Sequence, residues 1–169
     1  ADAVAKDIEG IDAERAWAAI YTSAMKDMRG GKYRKEYGYM PNDLQGESIA
    51  HDMEFAIADA AAATVAEKLG KKEEAAYLTN RSHSWTNYYD PETGFIRGRS
   101  STGEWREDFN PYNASRIANE YCEGNAWQYL WLVPHDLDLL EQYMGSRETT
   151  IARLDELFTA DTKMEGEDV

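Results

Sequence analysis

Apolar positions recur with helical period through most of the chain. In residues 12–29 they fall at Ala13, Ala16, Trp17, Ile20, Tyr21, Ala24 and Met28, one stripe of an amphipathic helix. Asp12 offers an N-cap oxygen, and Gly30-Gly31 ends the run. Residues 33–46 read as a loop rich in Tyr, Gly, Pro and Asn. Ser48 then reads as the cap of a second helix to about Leu69, stopped by Gly70, with four consecutive alanines at 60–63 suited to close packing. A third helix is expected over residues 72–89, ending before Asp90-Pro91. Asp90-Pro91-Glu92-Thr93-Gly94 is turn chemistry, and Phe95-Ile96-Arg97 with Ser101-Thr102-Gly103 and Trp105 predicts a short β-hairpin. The remainder, to residue 121, is a long polar loop, which points to function or mobility. Helical pattern resumes over residues 124–132 and restarts at Pro134 as a first-turn proline, running to Met144. A last helix follows Gly145-Ser146, with Ile151, Leu154, Leu157 and Phe158 on its buried face. The tail, residues 161–169, is acidic, aperiodic and expected to fray.

These elements predict an all-α chain of five or six helices in antiparallel hairpins, joined alternately by short turns and long loops. That alternation suits part of a helical-hairpin toroid better than an up-down bundle. The length, 169 residues, fits one domain with no internal boundary. Charge then excludes partners: 18 basic against 32 acidic residues give a net charge of −14, unsuited to nucleic acid or an anionic membrane surface. No apolar run is long enough to cross a bilayer. The N-terminus shows no leader, and a start at Ala1 is what a processed or excised segment would have. The single Cys122 excludes an internal disulfide. Aromatic content is high, with 5 Trp and 11 Tyr, which builds either a heavy core or flat surfaces for an uncharged ligand.

Familiar catalytic signatures are missing: no phosphate loop, no dinucleotide fingerprint, no Gly-x-Ser-x-Gly elbow, no His-Glu-x-x-His pair. His51, His83 and His135 stand apart without metal spacing and are expected to be structural. Asn80-Arg81-Ser82 and Asn113-Ala114-Ser115 match the glycosylation pattern, which matters only in a eukaryotic secretory path. The densest chemistry runs over residues 120–131, Glu-Tyr-Cys-Glu-Gly-Asn-Ala-Trp-Gln-Tyr-Leu-Trp. Glu123 stands where the long loop meets a helix start, and Asn125, Gln128 and Trp131 share its face. Amides bracket hydroxyls, indoles stack on sugar rings, and a carboxylic acid among indoles can donate a proton, so Glu123, Asn125, Trp127, Gln128 and Trp131 together describe a carbohydrate site. The alternative is a helix cap at Glu123 with both tryptophans in the core. A second group, Glu47, Ser48, Asp52, Glu54 and Asp59, places Glu54 and Asp59 near an apolar helix side and Asp52 at a solvated edge. Arg97, Arg99 and Arg106 in the long loop could pair with this acidic chain or bind ligand hydroxyls, and salt bridges are the default expectation.

Several motifs follow one another in a recognisable order. They are Tyr37-Gly38-Tyr39-Met40-Pro41-Asn42-Asp43, Gly46-Glu47-Ser48 with Met53-Glu54-Phe55-Ala56, Asp90-Pro91-Glu92-Thr93-Gly94-Phe95, and Arg97-Gly98-Arg99. Last comes Glu123-Gly124-Asn125-Ala126-Trp127-Gln128-Tyr129 with Trp131 and Val133-Pro134-His135-Asp136. Together they resemble glycoside hydrolase family 92, the calcium-dependent exo-α-mannosidases of glycan-foraging bacteria, over nearly the whole chain. One departure lies at Ala58-Asp59-Ala60, where the family tends to carry Asp-Asp-Trp.

The resemblance implies part of an (α/α)6 toroid that follows a β-sandwich in the parent. It implies removal of terminal α-linked mannose, α-1,2 by expectation, with inversion, and Glu123 as general acid. Inversion needs a second carboxylate roughly 6.5–9.5 Å away to activate water. The family's base and calcium ligands belong to later motifs that this sequence does not contain, so calcium is expected in the parent and not in this piece. The resemblance further implies a periplasmic or secreted bacterial parent acting on an α-mannoside glycan. The piece alone is expected to be helical, catalytically silent and prone to self-association through exposed helix faces. A glycosidase of another helical-toroid family and a non-catalytic helical module are the competing readings.

Overall fold

The computed structural model describes residues 1–114, 120–159 and 165. Helices α1 (Asp2–Ala5), α2 (Ala13–Ala24), α3 (Gly31–Tyr37), α4 (Ser48–Lys68) and α5 (Lys72–Ser82) precede a small hairpin, β1 (Tyr89–Asp90) and β2 (Phe95–Ile96). Helices α6 (Ala126–Tyr129), α7 (Leu137–Met144) and α8 (Arg147–Thr159) follow it. The expected helical fold with one β-hairpin is what forms. The long helix α4 is its axis, packed against α5, α2 and α1.

Asp12 caps α2 as expected, accepting from Arg15 N at 3.0 Å. The helix stops at Ala24, five residues before the predicted end. Arg29 and Gly30 adopt left-handed backbone, and the chain turns a tight corner into α3, where a loop was predicted. Gly30-Gly31 does more than end a helix. A Cβ on Gly30 would meet Met40 Sδ at 2.6 Å, and one on Gly31 would run into the Lys26 carbonyl oxygen. The corner therefore closes only on glycine.

Ser48 does not cap α4. It is the first helical residue, preceded by Glu47 in left-handed backbone, and its buried Oγ has no partner among the described residues. Instead the free N–H of Ala50 donates to the Glu120 carbonyl at 3.1 Å, so a distant segment supplies the cap. Further along α4 the alanine run does what small residues allow. Ala62, Ala63 and Ala66 pack with Val4, Trp17 and Leu78, bringing α2 and α5 close. Trp17 is a core residue, as its stripe predicted.

Helix α5 also ends early, at Ser82, and passes through a short 3-10 turn (Ser84–Asn87) into β1. The hairpin differs from the predicted one: Tyr89 and Asp90 pair with Ile96 and Phe95, and Arg99–Trp105 forms only an isolated bridge. Asp90 organises the turn, accepting from Glu92 N at 2.9 Å, Thr93 Oγ1 at 3.1 Å and Arg97 Nη1 at 2.9 Å. Burial opposes its ionisation, but these donors outweigh it and hold the Asp90 pKa below the usual carboxylate range.

Beyond the long loop, α6 is a single turn where nine helical residues were expected. Pro134 does not start α7. That helix begins after Asp136, whose carboxylate is held by Trp85 Nε1 at 2.8 Å and His83 Nδ1 at 2.7 Å. The predicted buried face of α8 is largely exposed: Leu157 packs on the core, whereas Ile151, Leu154 and Phe158 face outward, Phe158 with 79% of its surface accessible. Of the tail predicted to fray, only Glu165 lies within the described residues. Its backbone pairs with Tyr112 and Ala114, so at that residue the tail is docked.

Between the two apolar clusters α4 carries two buried carboxylates. Asp52, expected at a solvated edge, is fully buried, and Glu54, expected near the apolar side, is exposed. Arg34, Asp52, Asp59, Arg81, Ser84 and Tyr88 form one buried polar network tying α3, α4, α5 and the 3-10 turn. Burial and the adjoining Asp52 charge push the Tyr88 hydroxyl well above the ordinary phenol range, so it stays a donor to Asp52 at 2.7 Å.

Candidate active site

The segment around Glu123 is held on both sides. Upstream, Glu120 is 4% exposed and joins four stretches of chain. Its carbonyl caps α4, Oε1 accepts from Asn42 Nδ2 at 3.0 Å, Oε2 from Arg106 Nη1 at 2.6 Å, and its carboxylate packs on Gly98. Tyr121 is buried, and its hydroxyl donates to the Ile96 carbonyl. Burial first, and the Glu120 charge second, raise that hydroxyl well above the usual range. Tyr129 then clamps Cys122: its hydroxyl accepts from Cys122 N at 3.0 Å and donates to Cys122 O at 2.8 Å.

Downstream, Asn125 and Gln128 close a capping box. Asn125 Oδ1 accepts from Gln128 N at 3.4 Å, and Gln128 Oε1 from Asn125 N at 2.9 Å. Gly124 packs closely against this cap: a Cβ there would stand 2.8 Å from Gln128 Oε1 and 3.1 Å from the Tyr129 ring, so a side chain would press on the Gln128 half of the box. Between these clamps Glu123 adopts φ 52°, in the left-handed region, and its side chain is exposed. Such a conformation costs a glutamate roughly 1–2 kcal/mol and persists only where neighbours over-determine it. The turn therefore projects one carboxylate outward from a rigid frame.

The other residues of the predicted sugar face are placed differently from one another. Asn125 is buried in its cap, and Gln128 is exposed while serving the same cap. Trp127 is 5% exposed: its ring meets Phe95 edge-on at 4.9 Å, and the Arg153 guanidinium lies 4.2 Å from it. Trp131 is half-buried at the core's edge, and the indole N–H groups of Trp127 and Trp131 are both buried with no partner among the described residues. Sequence reading missed Glu120, Tyr121, Tyr129 and Asn42 as the supports of Glu123. All four lie in stretches the sequence singled out, Glu120, Tyr121 and Tyr129 in residues 120–131 and Asn42 in the Tyr37–Asp43 motif, but nothing local shows which partner each one meets.

Of the loop arginines, Arg97 pairs with Asp90 and Arg106 with Glu120, as expected. Arg99 donates to the Gly103 carbonyl at 2.8 Å and lies against Tyr39 and Trp105. His83 and His135 make structural contacts, to Asp136 and to the Ser82 carbonyl. A cavity of about 720 Å3 opens between α2 and α4 over Arg34, Asp59 and Arg81, and it shares no residue with the Glu123 segment. Among the described residues no group of three or more His, Cys, Asp or Glu is arranged to hold a metal ion. Among them too, no helix is long and apolar enough to cross a membrane.

The packing of Glu120 on Gly98 is directly testable. A Cβ at residue 98 would sit 2.6 Å from Glu120 Cδ, so Gly98→Ala must displace a buried, doubly bonded carboxylate. We expect a loss of about 1–3 kcal/mol in urea unfolding, as for overpacked cores. An unchanged midpoint would show that Glu120 has room to move.

The sequence matches the glycosyl hydrolase family 92 catalytic domain over residues 1–168. In structure the chain is similar to a family 92 α-mannosidase of Bacteroides thetaiotaomicron, at 38% identity and TM-score 0.86, covering 94% of this chain and 21% of that one. A complex of that enzyme with mannoimidazole superposes at TM-score 0.89 with 36% identity, over 97% of this chain and 22% of the other. A family 92 inverting mannosidase of the same organism gives 32% identity and TM-score 0.80, over 90% and 22%. A secreted, uncharacterised glycosidase of Arthroderma benhamiae is 26% identical over 93% of this chain and 25% of its own length. The chain thus spans between a fifth and a quarter of each of these relatives. On this match and these folds, it belongs to glycosyl hydrolase family 92.

Proposed function

We propose that this chain contributes the general acid of an inverting exo-α-mannosidase, with Glu123 protonating the departing glycosidic oxygen. One observation carries the assignment: an exposed glutamate held in left-handed backbone between the Cys122–Tyr129 clamp and the Asn125–Gln128 cap. A proton donor must stand within hydrogen-bond reach of the leaving oxygen throughout the reaction, and a braced turn supplies that constancy. The names of the similar structures, an α-mannosidase and an inverting mannosidase, support a mannoside substrate, α-1,2-linked in our reading. Inversion requires a second carboxylate on the far side of the sugar, roughly 6.5–9.5 Å away. That base and the calcium ligands are assigned to other parts of the parent enzyme.

The buried Trp127 and the helix cap also suit a non-catalytic module. Mannose release from α-1,2-mannobiose, with calcium, by a longer glycosidase containing this chain separates the two. Glu123→Gln lowers release by orders of magnitude if Glu123 is the acid and spares it if the turn is only structural. The chain alone is expected to release none; robust turnover by it would contradict the division of the machinery.

The parent is assigned an extracytoplasmic location, supported by the secreted relative. Self-association of the chain is also proposed, because Met28, Ile151 and Phe158 present apolar surface to solvent. Sedimentation should show a dimer or larger species at high concentration, and a strict monomer would overturn this.

A further inference from the structure

A polar recess of about 400 Å3 opens beside Glu120, lined by Asn42, Ser100, Glu104, Trp105, Arg106 and Glu107. Its walls come from segments far apart in sequence, and backbone bonds fix them together. Asn42 N donates to Arg99 O at 3.0 Å, Ser100 N to Glu104 O at 2.9 Å, and Arg106 N to Gly98 O at 2.9 Å. Asp43 adds a further tie, accepting from Ser101 N at 2.8 Å and Ser101 Oγ at 2.7 Å. The recess is therefore preformed, and its volume falls within the range of small-ligand sites.

The lining selects a ligand class. Trp105 is half-buried, with the Arg99 guanidinium 5.1 Å from its ring centre, and Arg99 is itself anchored on Gly103 O. The indole is thus held in one orientation. Around it stand an amide, a hydroxyl, two carboxylates and a guanidinium. An anion would meet Glu104 and Glu107, and an apolar ligand would strand the polar rim. A neutral polyhydroxylated ring suits this lining: its C–H face can stack on the indole and its hydroxyls can donate to the exposed Glu104 and Glu107 carboxylates.

We propose that this recess is a sugar-binding subsite for a hexose of the glycan other than the one released. The choice of a mannoside as that glycan rests on the function proposed above. Two residues of the recess, Asn42 and Arg106, are also the donors that hold Glu120, three residues before Glu123. A sugar bound there would touch the frame of the acid-bearing turn without occupying it.

The test is binding, not turnover. The chain, with its indole N–H groups labelled for NMR, is titrated with α-1,2-mannobiose into the millimolar range. The Trp105 signal should shift saturably, and calorimetry should show affinity lost at least tenfold in Trp105→Ala. Should that variant fail to fold, Trp105→Phe, which keeps an aromatic face against Arg99, should weaken binding several-fold. No saturable shift, an equal shift with glycerol, or unchanged affinity in folded Trp105→Ala would overturn the subsite. The reading of Glu123 stands or falls on mannose release, so a failure of either is recognisable by itself.

Discussion

Asp59→Ala should cost about 3–5 kcal/mol, the range for removing one partner from a buried ion pair. Asp59 is 2% exposed, and its carboxylate accepts from Arg34 Nη1 at 2.8 Å, Arg81 Nε at 2.7 Å and Arg81 Nη2 at 2.5 Å. Burial works against the Arg81 charge, yet the Asp59 bonds and charge outweigh it and leave its pKa above the ordinary value. Without Asp59 two buried guanidinium groups face each other, with Asp52 the remaining carboxylate of the network, 2.6 Å from Arg34 Nε. Domains have about 5–15 kcal/mol of stability in total, so the variant should unfold at much lower urea or not fold at all. Circular dichroism against urea measures this. A loss under about 1 kcal/mol would mean that water reaches the network and screens it as at a surface.

Glu123→Gln should lower mannose release about 10²–10⁴-fold in a glycosidase containing this chain, the contribution of a positioned acid. The turn should survive the change. Its bonds use the Cys122 backbone, Tyr129, Asn125 and Gln128, and the Glu123 side chain is exposed. Glutamine keeps the shape and removes the transferable proton. The deficit should therefore shrink on mannosides whose leaving group departs without protonation. Equal losses on both substrate types would point to damaged binding, and a wild-type rate would remove Glu123 from the reaction.

Much of the architecture was legible because the signals are local. Asp12 sits at the N-cap predicted for it, the alanine run packs where small residues must, and Asp90 orders the turn its neighbours spell out. Errors gathered where a distant partner decides. Asp52 looked like a helix edge because its partners, Arg34, Ser84 and Tyr88, lie on other elements. Pro134 looked like a helix start because nothing nearby shows that Trp85 and His83 hold Asp136. The stripe on α8 was real as a period, but period reports that residues share a face and not what that face meets.

The site divides the same way. Sequence alone determined that a glutamate precedes Gly-Asn at the junction of a long loop and a helix, and that an amide follows at capping distance. Only the tertiary structure decided that Glu123 points outward while Trp127 enters the core. It alone gave Glu120 its partners, and the bond to Asn42 closes 78 residues of chain. Local order depends on neighbours within a few residues. A buried charge, by contrast, must find its counter-charge wherever the fold brings one, and no run of sequence records that meeting.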